Sequence, residues 1–285
     1  MVPQCELFQK TGSFKARGAT NAVLCLDEAA RNRGVVTHSS GNHGQALAFA
    51  AKASGTKATV VVPRNAPAVK RAAMEGYGAR IILVEPTNEA RQAEADAVCQ
   101  REGLTFVHPS DDPTVMAGQG TVGLELLEQV PARDDGGAPF DMVIVPVGGG
   151  GLSSGVATAI KSRYPSTLVV GAEPVAADDA ARSKRAGKRL GHNKPPATVA
   201  DGLRTTLGPN TWPVIRDKVD RVVTVEEKAI VEGMRLVWER MKLVIEPSAG
   251  VGVAALLSDQ VAAMLSSLPK RPRVCVILCG GNVDL

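Results

Sequence analysis

Short apolar runs rich in β-branched residues alternate with alanine-rich stretches along most of the chain, and this alternation limits the possible folds most strongly. Short strands that are apolar on both faces and separated by helices are typical of parallel sheets covered by helices on both sides. We therefore predict an α/β protein. The strand predictions are Val35–Thr37, Ala58–Val62, Ile81–Val84, Thr105–Val107, Met142–Val147, Leu168–Ala172, Arg221–Val225 and Val274–Leu278.

Two seams indicate a smaller domain inserted into a larger one. The stretch PSDDP at residues 109–113 and the polar stretch at residues 31–34 interrupt the strand and helix rhythm. We predict a small domain of residues 34–111, and a large domain made of residues 1–33 and 112–285.

Composition excludes several functional classes. The chain has 285 residues, a formal charge of +4 and 3% aromatic residues, which does not suggest a nucleic-acid stacking surface. No apolar run is long enough to cross a bilayer, and the N-terminus lacks a signal-peptide pattern. Five cysteines without a CxxC pair are typical of reduced thiols. We expect a cytoplasmic protein without nucleic-acid or membrane partners.

Lys15 is the first candidate for chemistry. It stands after Thr11-Gly12-Ser13-Phe14, where Phe14 could desolvate one side of the amine. Desolvation lowers the pKa of an amine, and a neutral amine is a nucleophile towards carbonyls. The alternative is an exposed lysine at a helix start, and for a lone lysine that alternative is the commoner case.

The stretch SSGNHGQ at residues 39–45 follows a predicted strand and opens a predicted helix. Unpaired N–H groups at a helix start suit a carboxylate, to which Ser40 and Asn42 would add a hydroxyl and an amide. Simple capping by serine or asparagine is the alternative. His43 alone would more often be structural.

Four glycines, Gly148, Gly149, Gly150 and Gly151, lie between a predicted strand and a helix that begins near Leu152. Backbone amides at such a turn can surround a phosphate, because no Cβ atoms intervene and the helix dipole lies behind them. The same glycines, with Glu173 ending the next strand, also imitate a dinucleotide fingerprint. Ser153 replaces its third glycine, and that alternative gives Lys15 no role.

Glu173, Ala177 and Asp179 offer two carboxylates and a backbone carbonyl around a turn into a helix. Hard cations such as Mg²⁺ or Ca²⁺ accept such oxygen ligands. An acidic helix start that favours its own dipole is an equally good interpretation of the two carboxylates.

Four stretches of the chain, in their order along it, resemble the fold-type II pyridoxal-phosphate enzymes of the serine racemase and serine/threonine dehydratase family. They are TGSFKARGA, SSGNHGQALAFAA, PVGGGGLSSG and CGGNVDL. The resemblance covers essentially the whole chain. It implies an αβα fold with two domains, pyridoxal 5′-phosphate bound covalently at Lys15, and its phosphate in the glycine turn. It further implies a homodimer that acts on serine and, in some members, on threonine.

The same resemblance implies further roles. Ser40 would act on the substrate face opposite Lys15, Asn42 would bind the cofactor ring oxygen, and Cys279 would face the pyridine nitrogen. Glu173, Ala177 and Asp179 would bind Mg²⁺, or Ca²⁺ or Mn²⁺ in its place. The substrate would contact Ser39, Ser40, Asn42, His43, Arg91 and Ser110, and ATP would bind as an activator at Lys10, Thr11, Gln45, Tyr77, Lys242 and Asn282.

Departures from the family pattern leave three functional alternatives. Cys279 stands where serine racemases generally carry serine, Ser110 where they carry asparagine, and Thr205 where they carry serine. The expected activity is racemisation of serine with β-elimination to pyruvate and ammonia. The alternatives are dehydration of L-serine or L-threonine without significant racemisation, and a weakly active relative that acts as a binding or dimerising subunit. The last follows from an apparently shortened N-terminus, since the family normally has some tens of residues before the lysine motif.

Overall fold

The computed structural model describes residues 1–39, 41–133, 136–268 and 271–283. Within these ranges the chain forms nine β-strands and twelve α-helices, with a few short 3₁₀ helices. Two compact units divide the chain: residues 1–14 with 119–285, and residues 15–118. Both contain a fully parallel sheet with helices, as the alternating sequence pattern predicts.

The first unit contains a five-stranded parallel sheet in the order β1-β9-β6-β7-β8. Its strands are β1 (Val2–Cys5), β6 (Met142–Pro146), β7 (Leu168–Pro174), β8 (Arg221–Val225) and β9 (Val274–Leu278). Its helices are α7 (Gly151–Arg163), α8 (Asp179–Ala186), α9 (Thr211–Lys218), α10 (Glu227–Met241), α11 (Pro247–Leu256) and α12 (Asp259–Ser266). The boundary between the two units, between residues 118 and 119, falls inside helix α6 (Pro113–Gln129).

The centre of the first sheet is buried on both faces. Every residue of β6 (MVIVP) and β9 (VCVIL) is buried, which explains why these strands are continuous apolar runs without alternation. Met142, Ile144, Ile160 and Ile277 belong to one core cluster. Burial of such aliphatic side chains, at roughly 1.5–3 kcal/mol each, is the main force that holds the sheet and its helices together.

The second unit contains a four-stranded parallel sheet in the order β4-β3-β2-β5. Its strands are β2 (Val35–His38), β3 (Ala58–Pro63), β4 (Arg80–Val84) and β5 (Thr105–Phe106). Its helices are α1 (Lys15–Leu24), α2 (Glu28–Arg33), α3 (Asn42–Ala53), α4 (Ala68–Gly76) and α5 (Asn88–Glu102).

The second unit is longer at both ends than the predicted domain of residues 34–111. Helix α1 packs on α3, since Ala19, Ala22 and Val23 share a buried cluster with Leu47. The alanine side chains of α1 in this cluster are small, which lets the helix pack on α3. The compact unit therefore begins at Lys15 and ends at Gly118, so that α1 and α2 lie with the residues that the sequence assigned to the small domain.

Strand β1 is absent from the strands predicted above. It has four residues and includes a proline, and among the described strands it pairs only with β9, at the end of the sheet. Such a short edge strand lacks the continuous apolar run that identifies the central strands.

No single helix in the described ranges is long and apolar enough to cross a membrane, although α11 and α12 pass that test as a pair bent by 46°. Helix α11 is almost entirely buried in the core of the first unit.

Candidate active site

The residues that precede Lys15 pair with the end of β9 in the first unit. The Phe14 N–H group donates to the Cys279 carbonyl at 3.1 Å, and Ser13 forms an antiparallel bridge with Gly280. Cys279 and Ser13 are buried. Since Lys15 is the next residue of the chain, these backbone bonds fix the segment that carries it.

Lys15 is the first residue of α1 and is half-buried. Its Nζ atom donates to the Pro109 carbonyl at 2.7 Å, within the second unit. The charge of Lys15 contributes to lowering the pKa values of His43 and His108, after burial as the main cause. The amine therefore lies among imidazoles that stay neutral, with a backbone carbonyl as its acceptor. Sequence reasoning missed Pro109 and His108 as neighbours of the lysine.

The predicted carboxylate-binding stretch lies between β2 and α3 in the same unit. Helix α3 begins at Asn42, and its N-cap residue Gly41 has no side chain that could cap the helix. Ser39 donates its N–H group to the Val61 carbonyl at 3.1 Å, and its hydroxyl accepts the Gly41 N–H group at 3.3 Å. Ser40, the predicted second catalytic residue, lies outside the described residues.

His43 is fully enclosed in the second unit. Its Nε2 atom lies 3.2 Å from the Val107 carbonyl, and its Nδ1 atom is buried without a hydrogen-bond partner among the described residues. Burial lowers the pKa of His43 well below its ordinary value, and the charge of Lys15 lowers it further. Its predicted substrate contact would therefore involve a neutral ring.

Arg91 and Ser110 are the remaining substrate predictions in this unit. The guanidinium group of Arg91 bonds to the first turn of its own helix, through the Thr87 carbonyl and the Asn88 side chain. Burial lowers the pKa of Arg91. Ser110 is buried, and its N–H group donates to His108 Nδ1 at 3.1 Å.

The glycine turn lies between β6 and α7 in the first unit. Gly150 is in the left-handed region with φ 86°, and it caps α7 without a side-chain hydrogen bond. A Cβ atom at Gly150 would lie 2.8 Å from both Leu207 and Thr211, and the Thr211 hydroxyl donates to the Gly149 carbonyl at 2.9 Å. At Gly148, a Cβ atom would lie 3.0 Å from the Gly202 carbonyl.

These contacts explain why glycine is required in the turn. The backbone is packed against residues 202–211, and the start of a thirteen-residue helix provides N–H groups and a positive dipole end. The turn itself contains no acidic side chain that would repel an anion. It therefore fits a phosphate group, as the sequence predicts. Buried Leu152 continues the helix.

Glu173, at the end of β7, is completely buried and faces the start of α8. Its two carboxylate oxygens accept the N–H groups of Ala180 and Ala181, each at 2.9 Å. Burial raises the pKa of Glu173 well above its ordinary value, and Asp179 raises it further. In a dinucleotide site this acid would bind a ribose, whereas here both oxygens are directed at a helix start.

Asp179 completes the pair of buried acids. Its Oδ2 atom accepts the Leu207 N–H group at 2.9 Å, and its Oδ1 atom lies 3.6 Å from His192 Nε2. Burial raises the pKa of Asp179 as well. In the part of the chain that the structure describes, no three His, Cys, Asp or Glu side chains are grouped so as to hold a metal. A cation here would need the buried Ala177 backbone and water as further ligands, and it would offset the cost of two neighbouring carboxylates.

Two of the predicted nucleotide-binding residues contact each other in the first unit. The Asn282 side chain donates to the Thr11 carbonyl at 2.8 Å. Thr11 and Lys242 both have left-handed backbones, with φ of 61° and 60°, and only Arg271 among the other described non-glycine residues shares this. A β-branched residue in this region is strained, and such strain is concentrated at functional sites.

The other predicted nucleotide-binding residues have ordinary local contacts. The N–H group of Lys10 donates to the Gln9 side chain, and the Lys242 amine donates to the Glu239 carbonyl at 2.8 Å. In the second unit, Gln45 is buried in α3, and the Tyr77 ring lies edge-on to Phe49 at 5.8 Å.

Known proteins identify the family. A family model described as "Pyridoxal-phosphate dependent enzyme" matches residues 2–280. The chain is 50% identical over 285 residues to the serine racemase of Homo sapiens, a match that covers 99% of this chain and 81% of the human protein. The structure of maize serine racemase matches with a TM-score of 0.92 and 46% identity, over 99% of this chain and 83% of that one.

The crystal structure of a threonine deaminase matches with a TM-score of 0.90 and 44% identity, over 99% of this chain and 87% of that one. The resemblance inferred from the four motifs and the α/β fold class is thereby confirmed. The dinucleotide alternative is wrong, since the whole chain matches a different family. The chain belongs to the fold-type II pyridoxal-phosphate-dependent enzymes, in the family of the serine racemases and serine/threonine dehydratases.

Proposed function

We propose that this chain interconverts L-serine and D-serine and also eliminates water from serine, giving pyruvate and ammonia. The observation that carries the proposal is the setting of Lys15: its amine is held 2.7 Å from the Pro109 carbonyl, immediately after a segment bonded to the end of β9. A lysine fixed in this way can serve as a covalent anchor and as a base.

The cofactor would be held by the residues that the family motifs identify. Lys15 and Asn42 would bind its aldehyde and ring oxygen, and Phe14, Cys279, Leu152 and the four-glycine turn would bind its ring and phosphate. Pyridoxal phosphate supplies a ring that accepts negative charge developing at the substrate Cα. Cys279 is buried, and a neutral thiol at this position would not hold the pyridine nitrogen protonated as an aspartate would.

The chain's own groups would move the protons. With the cofactor and substrate bound, the Lys15 amine would act as the general base that removes the substrate Cα proton. Ser40 would return a proton from the opposite face to give the enantiomer. Loss of the β-hydroxyl as water, followed by hydrolysis, would give pyruvate and ammonia. The first turn of α3 would hold the substrate carboxylate through its N–H groups.

Dehydration without significant racemisation is the second candidate. It is favoured by Cys279, which stands where serine racemases generally carry serine, and by the 44% identity to a threonine deaminase. The two candidate functions differ in the ratio of the racemisation rate to the elimination rate at one site.

One experiment separates the candidates. Purified protein is incubated with L-serine, and D-serine and pyruvate are measured together; Lys15→Ala should abolish both. Pyruvate alone would favour the dehydratase, and the same assay with L-threonine would test the second substrate. Absence of both products with bound cofactor would refute action on serine, and absence of cofactor would favour the binding or dimerising subunit. Borohydride reduction should attach the cofactor to the peptide that contains Lys15.

We also propose that Mg²⁺ binds at Glu173, Ala177 and Asp179, a site that Ca²⁺ or Mn²⁺ would also occupy. The two buried carboxylates with raised pKa values support this proposal, because a bound cation would stabilise their charged forms. Glu173→Ala should remove any stimulation of activity by Mg²⁺ and any rise in thermal stability on adding it. Glu226→Ala, at an exposed position of the same unit, is the control and should preserve both responses. Unchanged metal dependence in Glu173→Ala would refute the site.

ATP binding and a homodimer are further proposals. The strained backbones of Thr11 and Lys242 support a ligand site near the Thr11–Asn282 contact. Equilibrium binding of ATP to the wild type and to Asn282→Ala would test the first proposal, and the sedimentation mass would test the second. The cytoplasmic location stays a prediction.

A further inference from the structure

The turn that follows β5 in the second unit is built around one imidazole ring. The Nδ1 atom of His108 accepts the N–H groups of Ser110 at 3.1 Å and of Asp111 at 2.7 Å. An imidazole nitrogen accepts hydrogen bonds only when it carries no proton, so this arrangement requires the neutral ring with its proton on Nε2.

The surroundings of His108 maintain that neutral ring. Burial is the main cause that lowers the pKa of His108; the neighbouring His38 and Lys15 act in the same direction, and Asp111 and Asp112 act against it. The Phe106 ring lies edge-on to His108 with centroids 6.1 Å apart, and the His38 ring lies at 6.5 Å. The ring is thus held from the side of the sheet as well as by the turn.

The peptide unit between Pro109 and Ser110 connects this ring to the lysine. Its N–H group donates to His108 Nδ1, and its carbonyl accepts from Lys15 Nζ at 2.7 Å. In a planar trans peptide the N–H and C=O groups point in opposite directions. Fixing the N–H group on the imidazole therefore also fixes the direction of the carbonyl, and with it the position of the amine.

Proline makes this connection more dependent on the ring. The nitrogen of Pro109 carries no hydrogen, so Pro109 cannot donate a backbone hydrogen bond that would help to hold this turn. The orientation of the Pro109 carbonyl therefore depends mainly on the bonds that the next two N–H groups make to His108.

We infer that His108 is a positioning residue for Lys15. His108 acts through the Pro109–Ser110 peptide and does not touch the substrate. Its role in catalysis rests on the proposed function, whereas its role in holding the amine does not. Misplacement of a reacting group by about 1 Å can cost roughly 100-fold in rate. Disturbing the ring should therefore slow each step that requires the Lys15 amine.

Two variants test the inference, because they place an acceptor at different positions. His108→Asn keeps an oxygen close to the position of Nδ1, whereas His108→Gln places its amide close to the position of Nε2. The protein is stripped of cofactor and the rate of covalent attachment of pyridoxal phosphate at Lys15 is measured from visible absorbance. We expect a loss of about 10-fold to 100-fold in His108→Gln and less than about 3-fold in His108→Asn.

Two further measurements complete the test. In the wild-type holoenzyme at pH 7.5, ¹⁵N NMR should show a His108 ring protonated at Nε2 and not at Nδ1; His108→Gln identifies its signal among four histidines. Exchange of the serine Cα proton for solvent deuterium, at saturating serine, should be reduced in His108→Gln with little change in KM. Thermal unfolding of both variants shows whether they fold.

The outcomes are distinguishable. A His108 ring protonated at Nδ1, equal attachment rates in both folded variants, or a loss that follows the unfolding temperature alone would overturn the inference. Absence of Cα exchange in the wild type would instead refute the proposed action on serine, and the NMR signal and the attachment rates would still decide the role of His108.

Discussion

Replacement of Gly150 by alanine should damage the glycine turn in a way that can be calculated from its surroundings. Gly150 has φ 86°, and a Cβ atom would lie 2.8 Å from Leu207 and from Thr211. The left-handed backbone costs a residue with a Cβ atom about 1–2 kcal/mol. Overpacking at a rigid site costs about 1–3 kcal/mol more. We expect Gly150→Ala to lower the free energy of unfolding by about 2–5 kcal/mol.

Gly187→Ala is the matched control. Gly187 also has a left-handed backbone, with φ 66°, but a Cβ atom there would meet nothing within 4 Å. It should therefore lose only the backbone contribution of about 1–2 kcal/mol. The change in the unfolded chain on replacing glycine is the same in both variants, so the difference between them isolates the steric cost.

The assay is urea unfolding followed by tryptophan fluorescence. Trp212 and Trp238, the two tryptophans of the chain, both lie in the first unit, so the signal reports the unit that contains both glycines. We also expect the affinity for pyridoxal phosphate to fall at least about 10-fold in Gly150→Ala, since a shift of the turn would move the N–H groups that we propose bind the phosphate. Equal stability losses in the two variants would refute the packing argument, and an unchanged cofactor affinity would refute the phosphate assignment.

Three further predictions follow from the same structure. His38, His43 and His108 have lowered pKa values, mainly because they are buried, so the folded state keeps them neutral. The free energy of unfolding should therefore fall as pH drops below about 6.5, where the unfolded chain binds protons, by up to about 1.4 kcal/mol per pH unit for each ring. Hydrogen-exchange measurements on the second unit should show that His43→Gln reduces this pH dependence by about a third. Thr11→Gly should remove the left-handed strain and raise the unfolding free energy by up to about 1 kcal/mol, yet weaken ATP binding; a destabilised variant would contradict this. Cys279→Ser should increase the ratio of D-serine to pyruvate, and a lower ratio would refute the argument that Cys279 favours elimination.

The sequence predicted the central strands of both sheets because they are buried on two faces. Val274–Leu278, a central strand, begins and ends at the predicted residues, and the glycine turn follows β6 as predicted. The edge strand Arg221–Val225 also has the predicted bounds. Edge strand β1 was missed, since its pairing with β9 is a property of residues some 270 positions apart. The extent of the second unit was missed for a similar reason: the packing of α1 on α3 depends on small side chains in two separate stretches.

Residues with unusual chemistry were easier to select as candidates from the sequence than the groups that hold them in place. Lys15 was chosen because three further motifs accompany it in the order typical of the family, and the glycines were chosen because four in succession between a strand and a helix suit a phosphate. Pro109 acts through a backbone carbonyl that accepts from Lys15, and Thr211 acts through a hydroxyl that donates to the Gly149 carbonyl. Such contacts leave no pattern in a single sequence, because almost any residue provides a carbonyl and many provide a hydroxyl.

The pairing of residues 2–5 with residues 275–278, continued by Phe14 and Cys279, has a consequence for biosynthesis. The segment next to Lys15 is made on the ribosome long before its hydrogen-bonding partner. Contacts so distant in sequence form late in folding, because a very long loop must close first. A nascent chain that stalls before β9 therefore leaves the lysine segment unpaired, and covalent loading of the cofactor at Lys15, as proposed above, would follow the synthesis of β9.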